Sequence, residues 1–188
     1  MKGLDFRFSA MNSKAADSVY HGIVEKMMTA GLRKLNQQDI PVILSWTKDA
    51  ESFYKWSADR FGTFHPVSRE EFLRTVGNHA YVFERDGSPA GFFALRVPEE
   101  RSDTLRIGYV ILDPGLRGKG LGKTMILTAL QEIRRLGKNR AELGVFADNL
   151  PALNCYISCG FVPMEGKESH FLIQKEKRTC TEMEKQPI

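Results

Sequence analysis

From Leu105 to Leu136 the chain reads strand, glycine-rich turn, helix, and this order constrains the fold more than any other segment. The run Leu105-Arg106-Ile107-Gly108-Tyr109-Val110-Ile111-Leu112 is apolar and rich in β-branched residues, and Asp113-Pro114-Gly115 closes it. That pattern predicts a strand ending in a turn. Downstream, Leu121, Met125, Ile126, Leu127, Leu130, Ile133 and Leu136 recur near helical spacing, and Gly137 follows as a C-terminal stop. Between the two lies Arg117-Gly118-Lys119-Gly120-Leu121-Gly122-Lys123. Glycine lets backbone approach an anion closely. Successive N–H groups point into such a turn, and the helix that starts there adds the positive end of its dipole. Arg117, Lys119 and Lys123 supply formal charge. The segment therefore predicts an anion cradle, with a plain flexible connection as the alternative reading.

The cradle does not follow the common nucleotide spacings. Walker A needs a glycine five positions before its Gly-Lys-Ser/Thr; Gly122-Lys123-Thr124 has Arg117 there. In Gly118-Lys119-Gly120-Leu121-Gly122 the third glycine also comes one residue too early for the Rossmann pattern Gly-x-Gly-x-x-Gly. A second block stands downstream, Asn149-Leu150-Pro151-Ala152-Leu153-Asn154-Cys155-Tyr156-Ile157-Ser158-Cys159-Gly160-Phe161.

Together these blocks resemble the GNAT superfamily of acetyl-CoA-dependent N-acyltransferases. Arg117-Gly118-Lys119-Gly120-Leu121-Gly122 is similar to its pyrophosphate-binding signature, Arg/Gln-x-x-Gly-x-Gly/Ala. Val110-Ile111-Leu112-Asp113-Pro114 resembles its fourth strand and exit turn, and the second block resembles its Asn-x-x-Ala-x-x-x-Tyr-x-x-x-Gly-Phe segment. The likeness covers about residues 32 to 175. It implies an α/β fold with a mixed, mostly antiparallel central sheet of six to seven strands. That sheet splays between strands four and five at a bulge, and helices flank both faces. It implies transfer of acetyl from acetyl-CoA to a primary amine (a peptide N-terminus, a lysine or a small molecule) by direct attack in a ternary complex. A non-catalytic acyl-CoA-binding or sensor module on the same fold is the alternative, and a nucleotide-binding P-loop protein is a weaker one.

The resemblance also distributes roles. Val110, Ile111 and Leu112 are assigned to pantetheine and the thioester carbonyl, and Arg117, Gly118, Lys119, Gly120, Leu121, Gly122 and Lys123 to the pyrophosphate. Asn149 is assigned to a pantetheine amide; its plainer role is an N-cap for the helix entered at Pro151. Tyr156 is assigned the general acid. A phenol of pKa ~10 can protonate a forming thiolate of pKa ~8.5, while the plainer role is core packing. The strand-five position where many protein acetyltransferases carry a glutamate base is Gly144. Glu142, on the same strand face ~7 Å earlier, is the candidate base, with a solvated surface carboxylate as the alternative.

Composition sets the remaining bounds. A chain of 188 residues with 42% apolar content suits one domain with a substantial core. The net charge of +4 lacks the lysine-arginine block expected of a nucleic-acid binder, and a polyanionic cosubstrate accounts for the useful part of it. Cys155 and Cys159 lie four apart, as a metal pair could, but small thiols in a reducing cytoplasm explain all three cysteines and no metal is expected. No apolar run is long enough for a bilayer and the N-terminus lacks a signal-peptide core, so a cytoplasmic monomer or homodimer is expected. Residues 1–30 are expected to form an extension with a short amphipathic helix over 15–30, residues 31–175 the domain that resembles the N-acetyltransferase family, and 176–188 a charged, disordered tail. The pattern predicts helices from Asn36 to Trp46, Asp49 to Asp59 and Ser68 to Val76. Strands are expected at Leu32–Leu35, His79–Arg85, Pro89–Val97, Thr104–Leu112 and Arg140–Phe146. A closing hairpin is expected from Phe161–Met164 and Ser169–Gln174 about Glu165-Gly166-Lys167. Trp46, Phe53 and Trp56 read as core, and His65 and His79 as structural histidines that could serve as bases.

Overall fold

In the computed structural model, residues 30–62, 64–98, 102–173 and 176–188 are described; the helix expected before residue 30 lies outside them. Strand β1 (Ala30–Lys34) is followed by a 3₁₀ turn (Gln37–Asp39) and three short helices, α1 (Ile40–Ser45), α2 (Ala50–Ser57) and α3 (Arg69–Val76). Then come β2 (Ala80–Arg85), β3 (Ser88–Arg96), β4 (Thr104–Leu112), α4 (Leu121–Arg135), β5 (Arg140–Phe146), α5 (Leu150–Ser158), β6 (Val162–Ile173) and β7 (Glu176–Lys185). The capping residues seen in the sequence start these helices. Asn36 and Asp39 close a capping box, Asp49 accepts from Ser52 N–H, and Ser68 accepts from Glu71 N–H.

One seven-stranded sheet runs in the order β1-β2-β3-β4-β5-β7-β6. Every neighbouring pair is antiparallel except β4 and β5. Both faces are covered, so central strands bury side chains on both sides and lose polar alternation. Adjacent Phe92 and Phe93 on β3 enter opposite cores, as strand geometry requires. Met125, Ile126 and Ile133 of α4 pack on one face against Phe93, Leu105 and Leu143. On the other face Ile43, Phe53, Trp56 and Phe72 from α1–α3 pack against Val82, Phe92 and Phe146.

Two expectations fail at the C-terminus. The segment from Glu176 is strand β7, inserted between β5 and β6. Its charges meet partners across the sheet, Glu182 with Arg106 at 2.6 Å and Glu184 with Arg140 at 3.2 Å, and Met183 between them is fully buried. Paired charges beside a buried methionine make a strand that composition alone reads as solvated. Glu165-Gly166-Lys167 is likewise not a hairpin turn. It lies within β6, in a bulge where the pairing steps from Pro163↔Met183 to Glu168↔Thr181. The hairpin partner of β6 is β7.

Candidate active site

Strands β4 and β5 pair only at Thr104↔Arg140, Leu105↔Ala141 and Arg106↔Glu142. Beyond Arg106 the two strands part, which leaves the β5-facing backbone of Ile107 to Leu112 outside that ladder. Strand β4 also bulges against β3: Ala94 pairs with Gly108 but Phe92 with Ile111. Tyr109 sits in the bulge at φ 54°, in the left-handed region that a residue with a side chain seldom enters. The Trp56 indole Nε1–H donates to the Tyr109 carbonyl at 2.8 Å, and the two rings meet edge to face. The aromatic core of α2 therefore holds the backbone at the point where the sheet opens.

A cleft of about 960 Å³ occupies the gap. At one end lie Arg117, Gly118, Gly120, Gly122 and Lys123. Gly118 and Gly120 have φ of 74° and 78°, a conformation that glycine adopts without strain. No side chain caps the N-terminus of α4, and the Thr124 N–H is the one that returns to Gly120 C=O. The earlier N–H groups of the first turn thus remain available to an anion. Along the wall, Val110, Ile111 and Leu112 line the cleft opposite Gly144, Val145 and Asn149, with Tyr156 between the sheet and α5.

Ten of the thirteen residues proposed from sequence border this one cleft: Val110, Ile111, Leu112, Arg117, Gly118, Gly120, Gly122, Lys123, Asn149 and Tyr156. Lys119, Leu121 and Glu142 are not among its lining residues. Lys119 Nζ donates instead to Gly115 C=O at 3.1 Å, and Leu121 is buried in the core under the sheet. Glu142 is buried on β5 below the splay, paired in register with Arg106 and Glu184, so it is not a solvated surface carboxylate. Asn149 caps α5, its side chain accepting from Ala152 N–H at 3.4 Å. Tyr156 is buried and its hydroxyl makes no hydrogen bond to a described residue. Burial, then the neighbouring thiols Cys155, Cys159 and Cys180, push its pKa up, so the phenol stays protonated. His65 pairs with Glu71 at 3.1 Å away from the cleft.

Sequence reasoning missed the arginines. Arg60, Arg96 and Arg106 all line the cleft at the end away from the glycine turn. Arg106 fills the place a strand-five glutamate would take: a Cβ on Gly144 would lie 2.7 Å from Arg106 Nη2 and 2.8 Å from Cys180 Sγ. The available signal was an arginine in the otherwise apolar run of β4. Arg60 arrives through Ala58 and Asp59, both left-handed, at the end of α2. Chemically, the cleft offers an anion cradle, an open strand edge for an extended chain, a protonated phenol and a cationic far end.

Comparison with known proteins agrees with this geometry. The sequence profile of the acetyltransferase (GNAT) family matches residues 43–161. The chain belongs to this family. A curated relative, the uncharacterized N-acetyltransferase YjgM of Escherichia coli K12, is 28% identical over 134 residues, covering 69% of this chain and 80% of its own. Among solved structures, spermidine N-acetyltransferase from Vibrio cholerae, in complex with CoA and spermine, superposes with a TM-score of 0.69 at 20% identity. That likeness covers 85% of this chain and 96% of the other. The ribosomal-protein-S18-alanine N-acetyltransferase from E. coli superposes with a TM-score of 0.63 at 20% identity, over 85% and 94%. Identities this low speak to fold, and the chain shares the fold of both. Among the described residues no helix is long and apolar enough to cross a membrane, and no cluster of three metal-ligating side chains occurs.

Proposed function

We propose that the protein transfers acetyl from acetyl-CoA to a primary amine by direct attack, with both substrates held in the β4–β5 cleft. The observation that carries this reading is the convergence on one cleft of an uncapped, glycine-entered helix N-terminus, the open edge of β4 and a buried, protonated tyrosine. The residues fit coenzyme A. N–H groups around Gly118–Gly122 with Arg117 and Lys123 would hold its pyrophosphate, and the free backbone of Val110 to Leu112 would pair with pantetheine as an added strand does. Backbone N–H near Val110 then faces the charge that develops on the thioester oxygen. As the amine nitrogen bonds to the acetyl carbon and the C–S bond breaks, Tyr156 delivers its proton to the departing sulfur, and the amine proton leaves to water. Holding the reactants together supplies most of the rate.

Carboxylates are absent from the described part of the cleft except Asp148, which is bound to Lys55 at 2.9 Å and Arg178 at 3.0 Å. An unpaired carboxylate base is therefore not built into the described lining, and an acceptor that arrives neutral or loses its proton through water meets this geometry. Thiol release from acetyl-CoA over a panel of amines and peptide N-termini tests the reading. Amine-dependent release is expected. Tight coenzyme A binding without turnover on any amine would leave a binding module instead.

A further inference from the structure

Across the sheet face that carries α1–α3, Arg96 of β3 and Arg106 of β4 stand directly opposite each other in register. Like charges directly opposed on neighbouring strands destabilise a sheet, and an anion between them offsets this. Glu182 meets part of that need. It takes Arg106 Nη1 at 2.6 Å and accepts from Ser169 Oγ at 2.6 Å. Its carboxylate is thus committed to holding the Arg106 guanidinium against Gly144, at the cleft wall. Arg96 and Arg60 have no ion-pair partner among the described residues. Arg96 and Arg60 are both exposed in the cleft lining; desolvation and the nearby Arg106 and Arg60 charges work against the charged form of Arg96, and the Glu182 carboxylate works for it. Ser57, at the end of α2 and in the same lining, keeps a fully buried hydroxyl without a hydrogen-bond partner. Two exposed arginines without an ion pair among the described residues, lining the same cleft as Arg106, present guanidinium donors to an incoming acceptor group.

We propose that Arg60, Arg96 and Arg106 form an anion subsite, and that the acceptor is an amine that carries a carboxylate. This rests on the acetyl-transfer reading for the role of the amine, but the subsite itself rests on the arginines. The glycine turn, with Arg117 and Lys123, takes the donor's phosphates at the opposite end. The subsite cations are therefore left for the acceptor. A polyamine meets only like charge here, since Asp148, the one carboxylate among the described lining, is already taken. Guanidinium groups take carboxylates in paired hydrogen bonds, which would fix the acceptor at its acid end and present its amine toward Tyr109 and the thioester.

Calorimetric binding to the full-length protein saturated with coenzyme A tests this without turnover. The probes are the twenty free amino acids, their α-carboxamides, spermidine, and a tetrapeptide amide with glutamate at its second position. At least one carboxylate-bearing probe is expected to bind at least about tenfold more tightly than its carboxamide or than spermidine, a ratio set by one charge-assisted contact. In R96Q and R60Q that ratio shrinks toward one while coenzyme A affinity, the measure of intact folding, stays. Binding by free amino acids places the source in an α-carboxylate; binding by the tetrapeptide alone places it in an acidic side chain. Equal binding of acids and amides, preference for spermidine, no probe binding at all, or an unchanged ratio in both variants overturns the subsite. Acetyl transfer is followed on the same probes. Carboxylate-selective binding with no transfer sinks the acetyl-transfer reading and leaves the subsite. Transfer confined to spermidine and carboxamides does the reverse.

Discussion

At the scale of single residues, chemistry turns on which protons and volumes the cleft fixes. Tyr156 is held protonated by burial and by neighbouring thiols, so a general-acid role is lost only as pH rises through its elevated pKa. The Tyr156-dependent fall in kcat therefore lies above pH ~10, the ordinary phenol value. Tyr156→Phe is expected to lower kcat by about 10²-fold, the lower end for a general acid, with the KM for acetyl-CoA within about twofold of the parent. A pH profile checks both: an alkaline limb below pH 9 that disappears in the variant would remove the acid role. Gly144 makes a different prediction. Because an added Cβ meets Arg106 and Cys180 below 3 Å, Gly144→Ala forces a shift costing ~1–3 kcal/mol. Thermal denaturation should show Tm lower by several degrees, whereas an equal Tm would mean the pocket beside β5 yields freely. The glycines and cations between a strand and a helix made the cradle legible in the sequence, whereas Tyr156 and Asn149 were singled out by the family resemblance. Sequence spacing could not reveal Arg96 and Arg106 as a pair, since their meeting depends on a cross-strand register with a bulge in it.

Among elements, the splay is the device that makes the site, and the bulge at Tyr109 is what aims it. The bounds of β4 and β5 were legible to the residue; β4 is an apolar, β-branched run closed by a turn, and β5 follows the glycine that stops α4. Their divergence was not, because nothing in either run states where pairing stops; only the family resemblance supplied it. Trp56 is the tie between the helical layer and the bulge, through its hydrogen bond to the Tyr109 carbonyl. Trp56→Phe retains an aromatic ring but removes the donor from a buried acceptor, which costs about 1–3 kcal/mol. If the left-handed Tyr109 relaxes as a result, kcat falls more than stability alone explains. Steady-state kinetics at a temperature where the variant is fully folded separate the two: a full parental kcat there would show that the bulge needs no tie.

For the molecule as a whole, the last strand decides whether the sheet closes. Charge count made residues 176–188 read as a tail, because a sequence does not show that Glu182 and Glu184 face Arg106 and Arg140. In the fold, β7 joins β5 to β6 and carries the fully buried Met183 into the α4 face of the core. Removing 176–188 would unpair β5 along six register positions, from Ala141↔Lys185 to Phe146↔Cys180, detach β6, and leave Arg106 and Arg140 without these acidic partners. The truncated chain is expected to lack a cooperative thermal transition. Met183→Ala keeps the strand and deletes only its buried side chain, so it should unfold cooperatively but about 2–5 kcal/mol less stably in denaturant titration. A truncated chain that melts cooperatively near the parental Tm would show that β7 is an addition to a sheet already complete at β5. A Met183→Ala change below ~0.5 kcal/mol would show that the strand's apolar face is not part of the core.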